Sequence, residues 1–565
     1  MDILGVWDGH DTGACVVRDG RVIAAANEER FTRRKLEVQF PHKALSWCLG
    51  AADLRPADVE VVAGCTSDFS VTLGRVWPKV KEDYYPVRRH KVDPPWNVEI
   101  NRLIQNATGK LRSNRMFHAL SKRALRKELA RAGFDHDYIL HIVDHHEAHA
   151  AAAALCSGFR KSLVVTMDAL GDGISTTIGI GEDGDVRNLE TMATRDSLGL
   201  FYQEITHLIG MRILEDEGKV MSLADFAYGV PDEKNPFLDL YEVNGMRIRA
   251  RLSPGARYKL LQRTLWRNSR EQFAHMAQRA FEHFTSQLFA NAVKETGLSS
   301  VVWNGGIASN IKMNMHIRLL PDVKEWFVFP HMGDGGLAIG AALKVAKEVD
   351  VVHPERIPHI FLGPEYGEDD VLTALKGFAG KVRWERSDDA AGTAAERIAA
   401  GDIVFWYNGR MELGPRALGN RSILARADSP TAKHDLNLRV KKRVWFQPFC
   451  PSVLEEDCKR FFEDVDSYDR FMTMGYVIQD GLKDQLRAVI NVDGSSRPQM
   501  LGQENPDYRR VIEGVRKETG DGIVLNTSFN VHGQPIVCTP EDALQTFVDT
   551  GVPLMALGDV LVEQA

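Results

Sequence analysis

His145 and His149 stand four residues apart in the segment His145-His146-Glu147-Ala148-His149, and the small-residue run Ala150 to Ala154 follows. The run reads as helix. At 3.6 residues per turn, positions i and i+4 share a face, so both imidazoles can address one ion. Neutral imidazole suits divalent zinc or iron. The spacing alone leaves a packing or surface pair open, and it departs from the metalloprotease pattern, in which Glu directly follows the first His. Carboxylates at strand ends could complete the set. Asp168 follows the apolar run Leu163 to Met167, and Asp334 is the first carboxylate after Phe327 to Pro330. Two imidazoles and two carboxylates suit iron(II) or zinc and leave positions open for an oxygen ligand. Such an ion can polarise a carbonyl, organise phosphates or activate a hydroxyl.

A second concentration of polar residues lies far down the chain. Glu412-Leu413-Gly414-Pro415-Arg416-Ala417-Leu418-Gly419-Asn420-Arg421-Ser422 sets two arginines into a Gly-Pro turn. Asn437, Arg439, Lys441, Lys442 and Arg443 follow, then Asp493, Arg497 and the run Asn526-Thr527-Ser528-Phe529-Asn530. The planar guanidinium fits phosphate and carboxylate oxygens, and lysine adds a point charge. Cations mixed with buried-looking Gly, Leu and Phe favour an oxyanion pocket over a solvated surface. Nearer the middle, Val301-Val302-Trp303 runs into Gly305-Gly306, with Asn310 just beyond. Glycines between strand and helix let backbone N–H groups approach a phosphate.

The elements that must position these groups show an internal repeat. Ile3 to Trp7 is a strand ending in Asp8-Gly9-His10-Asp11-Thr12-Gly13, followed by Ala14 to Arg18, an Asp19-Gly20 turn and Val22 to Ala26. The same order returns at Leu163 to Met167, Asp168-Ala169-Leu170-Gly171-Asp172-Gly173, Ile174 to Ile180 and an Asp183-Gly184 turn. Two copies of strand, Asp/Gly loop and hairpin predict the α/β actin and sugar-kinase class of ATPase fold. Helical pattern dominates from Arg257 to Thr296. Pro354, Pro358, Pro364 and Gly367 mark residues 351–369 as a linker, giving domains at 1–350 and 370–565.

Composition narrows the class. The 565 residues are 44% hydrophobic and 26% charged, ordinary for a globular protein of two or more domains. No run of eighteen apolar residues exists, so no membrane partner is expected. The N-terminus lacks the order of a signal peptide, and seven scattered cysteines without a Cys-x-x-Cys point to a reduced, cytoplasmic protein. The net charge of −7 argues against nucleic acid, but Lys79 to Arg131 holds fourteen Lys and Arg against five Asp and Glu. That basic insert, about residues 70–135, reads as a helical excursion with a solvated face that could line a substrate entrance. RNA binding is its weaker reading.

These residues together resemble the O-carbamoyltransferases of the nodulation-factor and antibiotic-tailoring group over nearly the whole length. The resemblance rests on Glu28-Glu29-Arg30-Phe31-Thr32-Arg33-Arg34-Lys35, the histidine segment, Gly218-Lys219-Val220-Met221, Gly305-Gly306 with Asn310, Gly414 to Gly419, and Leu525 to Asn530. It implies an N-terminal domain similar to the tRNA threonylcarbamoyl-transfer proteins and a C-terminal α/β domain similar to their carbamoyl-adenylate-forming partner. It further implies carbamoyl phosphate and ATP as co-substrates, with Mg2+ accompanying ATP, and a small-molecule hydroxyl as acceptor. His145, His149, Asp168 and Asp334 then hold a metal, iron(II) ahead of zinc. Lys35, Arg416, Lys441, Asn526 and Ser528 contact carbamoyl phosphate, while Gly171, Gly218, Lys219, Gly305, Gly306, Asn310, Arg421, Asn437, Arg439 and Arg497 extend the nucleotide and anion contacts. His10 is the expected general base, with Asp11 beside it, since an unperturbed imidazole titrates near neutral pH. Three departures stand out: Gln447 where the family has Arg, Asn491 where it has His, and Ser222 and Asp225 after the Gly-Lys segment. A sugar-kinase-type phosphotransferase is the alternative, and the pattern leaves room for a homodimer.

Overall fold

The computed structural model describes residues 1–109 and 111–565; Lys110, one of the basic residues of the insert, lies outside the described residues. The chain divides into two compact units. Met1–Glu29 and Leu36–Ile357 form the first, and Arg30–Lys35 with Pro358–Ala565 form the second. Lys35 therefore belongs to the second unit with Arg30 to Arg34, although the chain on either side of this short segment belongs to the first.

The first unit is built twice from one plan. Strands β1 (Asp2–Trp7), β2 (Gly13–Arg18), β3 (Arg21–Asn27), β4 (Val61–Cys65) and β5 (Ile139–Val143) form a sheet in the order β3-β2-β1-β4-β5. The second sheet runs β8 (Asp185–Ala193), β7 (Ile174–Glu182), β6 (Lys161–Gly171), then Ser300–Asn304 and Glu325–Val328. In each, the first three strands are antiparallel and the last two join in parallel. This is the duplicated α/β arrangement expected from the repeat. Both hairpins turn on Asp-Gly with positive φ at both residues: 50° and 77° at Asp19 and Gly20, 48° and 92° at Asp183 and Gly184. Positive φ at both central positions matches the right-handed strand twist, and glycine takes it without steric cost.

Each sheet's last strand leads into a helix along which the two copies meet. His145–Cys156 buries every residue except Glu147, because its alanines leave room for a neighbour. That neighbour is Leu337–Val349, where a Cβ on Gly340 would stand 2.0 Å from the Ala148 carbonyl oxygen. A side chain there would force the helices apart, at about 1–3 kcal/mol.

The helical pattern from Arg257 to Thr296 is carried by two helices, Pro254–Arg267 and Arg270–Thr296. Ser269 starts the second with a capping box to Gln272, which gives the backbone a better partner than continued helix. Strand β6 does not stop at Met167 but continues to Gly171, with its register broken between those residues. The break is an irregularity of the kind that re-aims side chains. The insert is helical, as Phe69–Val76, Pro78–Arg88, Trp96–Thr108 and Arg115–Arg131. Among the described residues, no helix is long and apolar enough to cross a membrane.

The second unit is an eight-stranded mixed sheet with Val404–Tyr407, Arg421–Arg426 and Ile523–Ser528 near its centre. Helices Ala390–Ala400 and Pro506–Thr519 cover it through Ala394, Ile398, Tyr508 and Ile512, all fully buried. All seven cysteines are free and buried.

Candidate functional site

His145 and His149 lie one turn apart at the start of their helix, and Asp168 and Asp334 come to meet them from the second copy. One ligand atom from each of the four lies within 4.8 Å of the others. His145 Nε2 is 3.0 Å from Asp168 Oδ2 and 3.6 Å from Asp334 Oδ1, and His149 Nε2 is 3.7 Å from both carboxylates. His149 Nε2 is buried with no hydrogen-bond partner among the described residues. An orphaned buried nitrogen aimed at two carboxylates costs free energy that a cation would recover. Two nitrogens and two oxygens at this separation fit a divalent ion.

The charges agree. Burial pulls the His145 imidazole down, yet Asp334 and Asp168 more than offset it and push it up to about 9. Asp334 is raised by burial, but His10 and His145 hold it well below the usual carboxylate range. Burial and Asp334 raise Asp168, and the facing imidazoles of His145 and His149 bring it below its ordinary value. His146 is different. Burial pushes it down to about 3, and Thr166 Oγ1 at 2.6 Å and the Ile174 carbonyl at 3.2 Å hold its ring as a neutral core residue.

Glycines keep the cradle narrow. A Cβ on Gly171 would stand 2.2 Å from the His145 ring, and one on Gly306 would stand 2.9 Å from Asp168 Oδ1. Gly305 takes φ 104° where a Cβ would strike the Met167 carbonyl. Gly171 thus makes room for a histidine rather than for a phosphate. Asp172, which the sequence reading passed over, accepts from the His145 backbone N–H at 2.8 Å, from Thr66 Oγ1 at 2.9 Å and from Ser67 N–H at 3.1 Å. It pins the first turn of the histidine helix. Its place in an Asp-Gly turn gave no sign of this, because its partners come from the histidine helix and from the loop after β4.

His10 pairs with Asp334, Nε2 to Oδ2 at 3.1 Å, and not with Asp11. Burial lowers its pKa, but Asp334 prevails and the net shift is upward. Its Nδ1 is buried without a partner among the described residues. Asp11 lies instead 3.9 Å from His331. Lys219 bonds Asp216 at 2.8 Å, and Asn310 caps helix Ile311–Arg318 while exchanging bonds with Gln278. Gly218 faces open space.

In the second unit the expected anion residues divide. Arg416, Arg443 and Arg497 gather around Cys450, whose Sγ accepts from Arg497 Nε and Nη2 at 3.1 and 2.9 Å. Burial and Arg497 push Arg416 down to about 9. Arg443 reaches the same value through burial and Arg497, with Cys450 opposing. These shifts measure cationic charge packed without a counter-charge. Burial, Arg443 and Lys35 lower Lys441 well below the ordinary lysine value, and its Nζ meets Ser528 and Asn530. Asn526 Nδ2 donates to the Ala417 carbonyl and Ser452 Oγ, leaving Oδ1 buried and unpartnered among the described residues.

Of three other candidates, two are built into the fold and one faces solvent. Arg421 is fully buried, stacks 3.6 Å over Tyr407 and donates to the carbonyls of Asn408, Gly409, Asn420 and Pro364. Asn437 ties down Trp445, Gln447 and Arg443. Arg439 is solvent-exposed beside Asp435. Glu412, not singled out from sequence, is fully buried and accepts the N–H groups of Leu418, Asn420 and Arg421, shaping the loop that carries Arg416.

Residues 2–343 match the protein family described as Carbamoyltransferase N-terminus, and residues 395–564 match Carbamoyltransferase C-terminus. The chain is 34% identical over 568 residues to the nodulation protein NolNO of Sinorhizobium fredii, covering 98% of this chain and 79% of that one. It is 36% identical over 435 residues to the nodulation protein NolO of Bradyrhizobium diazoefficiens, covering 75% and 79%. It is also 29% identical over 354 residues to the 3'-hydroxymethylcephem-O-carbamoyltransferase of Streptomyces clavuligerus, covering 61% and 64%.

Proposed function

The chain belongs to the carbamoyltransferase family and is a carbamoyltransferase enzyme, and from that premise we propose that it carbamoylates a hydroxyl of a small natural product, using carbamoyl phosphate and ATP through carbamoyl-adenylate. The observation that carries the donor half of this reading is the cluster of Arg416, Arg443, Arg497 and Lys441. Cations stripped of water and of carboxylate partners have the electrostatics of a phosphate pocket. Asn526 Oδ1 supplies an unpaired acceptor, and a carbamoyl amide brings the donors it lacks. For the atoms to balance, one water is consumed, and phosphate and pyrophosphate are released as carbamoyl-adenylate forms.

His145, His149, Asp168 and Asp334 would hold a divalent metal, iron(II) before zinc. When bound, that ion supplies Lewis-acid polarisation of an oxygen ligand. Asp172 keeps His145 in place from behind. His10, its Nε2 held by Asp334, presents Nδ1 to take the acceptor hydroxyl's proton as the hydroxyl oxygen attacks the carbamoyl carbon and the bond to the adenylate breaks, releasing AMP. Seven buried thiols suit a reducing compartment such as the cytoplasm.

The test is incubation with carbamoyl phosphate and ATP, with iron(II) or zinc present, followed by assay of pyrophosphate and carbamoyl-adenylate. Both are expected; absence of both removes the reading. His10→Ala should keep pyrophosphate release while losing transfer, and Lys441→Ala should raise KM for carbamoyl phosphate.

A further inference from the structure

Helix Trp96–Thr108 of the basic insert treats its two faces oppositely. Asn97 and Val98 are buried, whereas Trp96, Ile100 and Leu103 are 69%, 43% and 68% exposed. Steps of four and three place those three on one stripe. The indole of Trp96 meets Trp77 at 5.8 Å, and next to Trp77 stands Val76, 66% exposed. Helix Phe69–Val76 packs against both Trp96–Thr108 and Arg115–Arg131, and the latter exposes Met116 and Leu120 at 62% and 42%. Lone exposed apolar residues are ordinary, but a full helical stripe backed by a second helix is not.

The surrounding charge says what could cover it. From residue 96 to 131 the sequence has nine Lys and Arg against two Asp and Glu, in a chain of net charge −7. Arg112, Arg115, Lys122 and Arg123 are exposed. Of the two acids, Glu99 pairs with Arg102 at 3.2 Å and Glu128 with Arg131 at 2.6 Å. A second copy meeting this face about a twofold axis would set cations against cations. A nucleic acid would satisfy the cations and leave the Trp, Ile and Leu stripe in water. An anionic bilayer surface answers both, since apolar side chains enter the acyl boundary while Lys and Arg meet the headgroups.

We propose that this face of the insert docks the protein peripherally on an anionic lipid bilayer. The contact lies in the interface plane, as the helix is too short and too polar on its other side to span. It stands apart from the transfer reaction, so neither reading depends on the other.

The test is co-sedimentation of the full chain with phosphatidylcholine vesicles and with mixed phosphatidylcholine–phosphatidylglycerol vesicles, at low and high salt. Binding is expected to the mixed vesicles alone and to weaken with salt. Trp96→Ser combined with Leu103→Ser should weaken it at least about tenfold. Arg112→Glu and Arg115→Glu should each weaken it about fivefold or more, the worth of one cation at such a surface. All these side chains are exposed, so circular dichroism and the melting temperature should stay as in the parent. Absence of binding to mixed vesicles overturns the proposal, as does unchanged binding by the paired variant. A homodimer that dissociates with Leu103→Ser also overturns it, by assigning the face to a second copy.

Discussion

Asp8 and Asp168 hold matching places in the two halves of the first unit, Asp8 just past the central strand β1 and Asp168 inside the central strand β6 where its register breaks, yet they have opposite fates. Asp8 is buried against Arg75, whose guanidinium reaches it at 2.7 and 2.8 Å and also bonds the Cys65 carbonyl. Lys81 bonds the Asp8 carbonyl. Burial raises the Asp8 carboxyl, and Arg75 and Lys81 bring it below its ordinary range. Among the described residues Asp168 meets no Lys or Arg; two imidazoles, a second carboxylate and the Ala169 N–H face it. Both Arg75 and Lys81 come from the insert, which exists only in the first copy. One strand geometry thus gives a sealed structural ion pair in one half and a candidate cation site in the other. The partner supplied from outside the repeat decides which.

The comparison breaks first at the cation site. Replacing His149 or Asp168 by Ala should remove bound metal, read by elemental analysis, with metal affinity down at least about 100-fold and transfer lost. A variant that keeps stoichiometric metal would mean the two aspartates are not so different after all. Asp8→Ala should do the reverse, destabilising by about 3–5 kcal/mol in denaturant unfolding by stranding Arg75, while metal content stays normal. Changing both Asp8 and Arg75 to Leu should recover much of that loss.

A third buried carboxylate sharpens the contrast. Asp469 has backbone N–H donors from Phe471, Thr473 and Met474 but no cation, and burial pushes it up to about 6. Its folded pKa exceeds its unfolded one, so its contribution is fully present below about pH 4 and is lost as pH rises through about 6. Stability across that window should fall by about 3 kcal/mol from this group, and Asp469→Asn should flatten the slope even while lowering stability overall. The smallest effect is expected at Asp172. Asp172→Ala should weaken metal affinity about tenfold in a chelator competition, because it loosens the turn that aims His145 without touching a ligand.

Much of this was readable in the chain. Alternating apolar residues and Asp-Gly turns set both hairpins, and the four-residue spacing put His145 and His149 on one helical face, because each depends only on near neighbours in sequence. The break inside the helical stretch was also local, but Ser269 was passed over among strong helix formers. Arg421 shows the opposite limit. In sequence it is a second arginine of an anion motif, and in the fold four carbonyls and an aromatic ring enclose it.

The sequence by itself determined the repeat, the histidine pair, the two carboxylates that face it and the local cluster of cations in the second unit. Only the tertiary structure decided which aspartate stays open to a cation, which arginines keep their charge uncompensated, and that His10 answers to Asp334 rather than Asp11. Secondary structure follows from periodicity within a few residues. The fate of a buried charge follows from which groups meet it through space, and those lie as far as 324 residues away along the chain, as His10 and Asp334 do.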